Sequence, residues 1–203
     1  MNTTVKNTLT LTIITVIAGF FLGFVYDLTK DPIAYQKELA KQNAYKSVFS
    51  EASDFDDEGI LSKYDPAALA NAGFAAQTVD EALVAKDSSG NSIGYVFTLS
   101  TSEGYGGNIT LSMGVDNTGC LKGIEILSIS ETAGLGMKAN TDEFKSQFAN
   151  KNVTQFVYTK NGASADYEID ALSGATITTK AMTNAVNAGL EFYKEIGGDT
   201  DAQ

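Results

Sequence analysis

The sequence predicts an α+β fold: an antiparallel sheet flanked by helices, tethered to one N-terminal transmembrane helix. Three observations carry this expectation. They are a charge-free apolar run near the N-terminus, apolar residues alternating at period two through the middle, and a helical apolar stripe near the end.

From Asn7 to Tyr26 no residue is charged, and the run is mostly β-branched, aromatic or leucine. Twenty helical residues rise about 30 Å, the thickness of a bilayer's hydrocarbon core. A cleaved signal peptide would show an A-x-A-like site after a short apolar region. Phe24-Val25-Tyr26-Asp27-Leu28 offers none, and no cysteine for lipidation stands there. The reading is a retained span, 7–28, preceded by a short N-terminal segment, 1–6. Lys6 lies on one side of it, and Lys30, Lys37, Lys41 and Lys46 lie on the other. Counted alone, these lysines would put the C-terminal domain inside, but that rule weakens for long translocated domains.

A helical and acidic connecting segment, 29–78, comes next. Asp31-Pro32 reads as a helix start, an acidic cap with proline in the first turn, for a helix reaching about Phe49. Residues 50–66 are acidic and irregular and read as a surface connection. The folded domain is expected over 79–197, with a tail at 198–203. Ala82–Lys86 and Ser92–Thr101 read as strands around the Asp87–Asn91 turn. Asn108–Asp116 and Cys120–Ser130 read as strands around Asn117-Thr118-Gly119. Thr141–Ala149 reads as a short helix capped by Thr141. Phe156–Thr159 and Tyr167–Ile169 read as short strands around an Asn161-Gly162 turn. Thr178–Ile196 reads as a helix with Met182, Ala185, Val186, Gly189, Leu190 and Tyr193 on one face.

Composition removes much chemistry. The 203 residues carry 14 basic and 25 acidic groups, a formal charge of −11, and every basic group is lysine. Without histidine or arginine, and with Cys120 as the sole thiol, a His-based triad, an imidazole shuttle and an intramolecular disulfide are excluded. So are a His-ligated zinc site and a multi-cysteine metal site within one chain. An acidic chain lacking arginine also predicts no nucleic-acid partner. Redox or group-transfer chemistry would need a cofactor to carry it. Cys120 reads as a small apolar residue.

Three glycine-bearing loops interrupt strands or open a helix. The first is Glu103-Gly104-Tyr105-Gly106-Gly107, which alone reads as a glycine turn. The second, Glu131-Thr132-Ala133-Gly134-Leu135-Gly136-Met137-Lys138, offers a leucine between two glycines. The third, Asp170-Ala171-Leu172-Ser173-Gly174-Ala175-Thr176, precedes the C-terminal helix. Its small and hydroxylated residues suit an N-cap. They equally suit an anion site, where free N–H groups and the helix dipole would receive a phosphate.

On these motifs the chain resembles the FMN-binding domain family of the Rnf and sodium-translocating NADH:quinone reductase complexes. The likeness is greatest to the G subunits of Rnf, the ferredoxin:NAD⁺ oxidoreductase; their quinone-reductase counterpart is the C subunit, NqrC. Ala133 stands where relatives commonly carry proline.

The resemblance implies FMN joined through its phosphate to Thr176 by a flavin transferase that uses FAD. Asp170, Ser173, Gly174 and Ala175 would be the recognised motif, with Ser173, Thr178 and Thr179 as competing acceptors. It also implies that the ring rests against Glu131, Thr132, Gly134, Leu135 and Gly136, and that Gly104, Tyr105, Gly106 and Gly107 close the pocket. Lys138 and Lys180 are candidates to neutralise phosphate, but read as solvated surface lysines. The implied role is a membrane-anchored electron carrier among other membrane and peripheral Rnf subunits in the cell membrane, with the N-terminus cytoplasmic and the domain extracytoplasmic. The alternatives are an NqrC-type subunit, a tethered module holding flavin non-covalently, and, last, a hydrolase using Ser173 or Thr176 with Lys180 as base.

Overall fold

Twenty residues with neither charge nor proline favour one long helix, and the computed structural model, which describes residues 2–197, begins with it. Helix α1 spans Thr3–Val48 and contains a window of mean hydropathy 2.2, apolar enough to cross a membrane. The threonines of the charge-free run do not leave donors unpaired. Thr8, Thr10, Thr12 and Thr15 each donate to a carbonyl one turn back, at 3.0, 2.9, 3.0 and 3.1 Å. Pro32 lies inside α1, so Asp31-Pro32 does not start a new helix. Proline's fixed φ is already helical, and only one ladder bond is lost. The tail, 198–203, lies outside the described residues.

The chain divides into two compact units, Met1–Ala40 and a second beginning at Lys41. The second is built on a five-stranded antiparallel meander, order β1-β2-β3-β4-β5. Its strands are β1 Asp54–Asp56, β2 Gln77–Lys86, β3 Ser92–Thr101, β4 Ile109–Asp116 and β5 Leu121–Ser128. Aspartates close two of the turns. Asp87 accepts from the N–H groups of Ser89 and Asn91 at 2.8 and 2.9 Å, and Asp116 accepts from those of Thr118 and Cys120 at 2.9 and 3.1 Å. β1 is an edge strand inside the segment expected to be irregular. Its Phe55 faces the core, and Lys86 pairs with Asp56 at 2.7 Å and Glu58 at 2.9 Å.

Period-two alternation gives the sheet two apolar faces. Phe97, Leu99, Leu111 and Met113 meet α4, Thr176–Glu195, through Met182, Ala185, Val186 and Leu190. On the other face Leu83, Ala85 and Val96 pack with Tyr45, Val48 and Phe49 from the end of α1. Phe49 seats against the backbone of Gly94 and Gly114, where a Cβ would fall 2.7 and 3.0 Å from its ring. Gly189 does the same for α4: an added Cβ would overlap Met113 Sδ and lie 2.8 Å from Leu99 Cδ1. Gly189→Ala gains about 1 kcal/mol of helix propensity but overpacks a fully buried contact at about 1–3 kcal/mol. A net loss of stability is expected, seen as a lower midpoint in urea.

After β5 come a 3-10 turn, Gly136–Asn140, and α3, Asp142–Lys145, whose cap Thr141 accepts from Phe144 N–H at 3.4 Å. Strands β6, Val157–Thr159, and β7, Glu168–Asp170, pair in parallel, not as a hairpin. Asn161-Gly162 does turn the chain, with Gly162 at φ 89°, but the Glu168 carboxylate then gathers Ser164 and Ala165 N–H at 2.7 and 3.2 Å. The chain therefore re-enters alongside β6 in the same direction. Asn187 of α4 fixes β6 by bonding both the N–H and the C=O of Phe156, at 2.7 and 2.9 Å.

Candidate functional site

The three glycine loops, distant in sequence, meet at the start of α4. A cavity of about 590 Å³ opens there, lined by Tyr105, Glu131, Thr132, Leu135, Gly136, Gly174, Ala175, Thr176, Ile177 and Thr178. Tyr105, Leu135 and Ile177 remain 72%, 42% and 53% exposed, so its walls offer apolar surface to a ligand.

Glu131 joins the loops. It is 8% exposed, and one carboxylate oxygen accepts from Gly106 N–H at 3.2 Å while the other accepts from the Thr178 hydroxyl at 3.1 Å. Glycine is required around it. A Cβ on Gly136 would lie 2.6 Å from Thr178 Oγ1 and 2.7 Å from Glu131 Oε2. A Cβ on Gly104 would overlap the Gly107 carbonyl, and one on Gly106 the Ser130 carbonyl. Within the second loop, the Thr132 carbonyl accepts from the N–H groups of Leu135 and Met137 at 3.1 and 3.2 Å, which folds Leu135 outward. Leu135 then covers Gly174, whose φ is 74° and whose added Cβ would sit 3.1 Å from Leu135 Cδ2.

The start of α4 departs from the expected N-cap. Its cap position is Ala175, and no side chain caps it. Thr178 and Thr179 are buried, 1% and 0% exposed, with both hydroxyls engaged. Thr178 bonds Glu131; Thr179 donates to the Ala175 carbonyl and accepts from Leu172 N–H, each at 3.0 Å. Thr176 is partly exposed and lines the cavity, and among the described residues its hydroxyl has no partner.

The remaining expected residues lie around this centre. Ser173 is exposed and outside the cavity lining. Asp170 ends β7, exposed, with its N–H donated to Gln147 Oε1 at 2.6 Å. Gly134, at φ 78°, turns the second loop, while Gly104, Gly106 and Gly107 shape the first without lining the cavity. Ile177 and Glu103 are additions. Ile177 signals itself as a lone isoleucine among threonines, and Glu103 as the acid that opens the first loop.

Glu103 receives Gln77 Nε2 and Asn184 Nδ2, both at 2.7 Å, and Lys180 Nζ at 3.2 Å. Lys180 is thus ion-paired with Glu103 and is not among the residues lining the cavity. Burial pushes the Glu103 carboxyl up, but the hydrogen bonds from Asn184, Lys180 and Gln77 together hold it below the ordinary glutamate range. A depressed folded value stabilises the protein above the unfolded glutamate value of about 4.3. That contribution is lost as pH falls through the folded value. Glu103→Gln is expected to flatten the acid limb of a stability–pH curve, measured by urea melts below pH 5 or so.

Residues 104–191 match the FMN-binding domain family, and residues 1–48 match the RnfG N-terminal region. The G subunit of the ion-translocating oxidoreductase complex of Methanosarcina acetivorans is 29% identical over 196 residues, 92% of this chain and 93% of that protein. The G subunit of the proton-translocating ferredoxin:NAD(+) oxidoreductase complex of Clostridium ljungdahlii is 32% identical over 182 residues, 89% of this chain and 86% of that protein. In fold, the chain is similar to the crystal structure of Shewanella oneidensis NqrC, with a TM-score of 0.50 over 75% of this chain and 85% of that one, at 16% identity. Near-full-length similarity, both family matches and the convergence of the three loops lead to one conclusion: the chain belongs to the family of G subunits of ion-translocating ferredoxin:NAD⁺ oxidoreductase (Rnf) complexes.

Proposed function

We propose that this chain is a membrane-anchored electron-transfer component of an Rnf complex, carrying FMN bound covalently through its phosphate to Thr176. One observation carries the reading: at an uncapped helix start Thr176 lines the cavity with a hydroxyl that has no partner among the described residues, while Thr178 and Thr179 are buried and engaged. The residues fit the group. The free N–H groups of the first turn of α4 and its positive dipole end suit a phosphoryl group in a protein without arginine. A cavity of about 590 Å³ with exposed Tyr105, Leu135 and Ile177 suits a planar apolar ring.

When bound, the flavin supplies the electron-transfer chemistry, so the chain needs no acid–base residue of its own. Thr176 Oγ1 provides the oxygen of the phosphoester, with AMP leaving from FAD and the hydroxyl proton passing to the transferase. Ser173, Gly174 and Ala175 keep the approach to that oxygen low and open, and exposed Asp170 stands where a transferase can read it. Leu135 and Tyr105 exclude water from the ring, and Glu131 holds the walls together. The apolar part of α1 anchors the chain in the bilayer, with the N-terminus cytoplasmic, the domain outside, and further Rnf subunits as partners. A covalent link retains the flavin there.

Protein from a host with the transferase should show flavin fluorescence in its band after denaturing electrophoresis. Flavin lost on denaturation would overturn the covalent reading. A C-terminal tag should be cleaved by protease added to intact cells without an outer barrier; a protected tag would reverse the orientation.

A further inference from the structure

Thr176, Lys180 and Asn184 follow one another at intervals of four, so they share one face of α4. The second and third members of that row are held by one carboxylate. Glu103 accepts from Lys180 Nζ at 3.2 Å and Asn184 Nδ2 at 2.7 Å. It is tied to the sheet as well, through Gln77 Nε2, which lies 2.7 Å from Glu103 and 3.1 Å from Thr101 Oγ1. No side chain caps the helix at Ala175; the first turn is held from its buried side by Thr178 on Glu131 and by Thr179 on Leu172 N–H, while Glu103 holds the row that carries Thr176.

We propose that Glu103 is a positioning residue for Thr176: by holding Lys180 and Asn184 it completes, from the side opposite the buried contacts, the hold on the rotation of α4 and keeps the Thr176 hydroxyl turned into the cavity. Glu103 is not part of the cavity lining, so it acts through the helix and not on the ligand. Side-chain atoms sit about 5 Å from a helix axis, so a rotation of about 15° moves the hydroxyl by more than an ångström. Such a displacement is enough to slow a group transfer by orders of magnitude. The ion pair also commits Lys180, leaving the backbone N–H groups of the first turn as the receptor for phosphate.

The inference rests on Thr176 as the attachment site, and its test separates the two. Full-length protein in detergent, made without the transferase, is incubated with transferase and FAD, and covalent flavin is followed by in-gel fluorescence. If wild-type protein takes up no flavin, the attachment reading fails. If it does, Glu103→Ala is expected to load on the order of ten-fold more slowly. Leu83→Ala, a cavity on the opposite sheet face chosen to match the loss of stability, should load at the wild-type rate. Lys180→Met combined with Asn184→Ala should load as slowly as Glu103→Ala, and adding Glu103→Ala to that pair should slow it no further. Wild-type loading by Glu103→Ala, equal slowing by Leu83→Ala, or additive slowing in the combined variant would each overturn the proposal.

Discussion

Thr176→Val is expected to leave a folded protein with no covalent flavin. Valine keeps the β-branched shape and removes only the hydroxyl. That hydroxyl has no partner among the described residues, so stability should change by less than about 0.5 kcal/mol. Flavin loading, in contrast, should fall to background, because the neighbouring hydroxyls cannot substitute. Thr178 is tied to Glu131 at 3.1 Å, and Thr179 to the Ala175 carbonyl at 3.0 Å, inside the core. Ser173 is exposed but stands outside the cavity. The measurement is in-gel fluorescence beside a urea melt of the same preparation. Undiminished fluorescence in a normally folded variant would place the attachment elsewhere.

Glu131→Ala is expected to have the largest effect on the walls of the site. The carboxylate is buried and receives one loop through Gly106 N–H and the helix through the Thr178 hydroxyl. Truncation leaves both donors without a partner, at about 1–3 kcal/mol each, so a loss of about 2–6 kcal/mol is expected. Glu131→Gln keeps the volume and one acceptor, and should lose about half as much. Chemical denaturation of the pair checks this. Equal stability of Glu131→Ala and wild type would show that the loops are held by other contacts. The same carboxylate explains why the second loop begins with glutamate: the position faces the first loop and the start of α4, not solvent.

Much of this was legible in residue patterns. Alternating apolar residues and turn formers located β2 to β5 because each strand pairs with its neighbour in sequence, so local signals suffice. The buried face of α4 followed from helical spacing. Other features depend on partners far along the chain. β1 exists because Phe55 reaches the core and Asp56 reaches Lys86, and an acidic stretch carries no local sign of either. The parallel pairing of β6 with β7 is set by bonds from Asn187 and Glu168, which override a good hairpin turn. Pro32 reads the same locally at a helix start or in a helix interior. At the site, the three loops were visible as motifs, but their meeting on Glu131 and the engagement of Thr178 were not. Threonines in succession look alike until the fold buries some of them.

The central claim is that Thr176 carries the flavin, and the most direct measurement is mass spectrometry of natively made protein cut at lysine. The peptide 161–180 contains Ser164, Ser173, Thr176, Thr178 and Thr179. It should gain the mass of FMN less one water, and fragmentation should place that mass on Thr176. An unmodified peptide from flavin-containing protein, or the added mass on Ser173, would contradict the account.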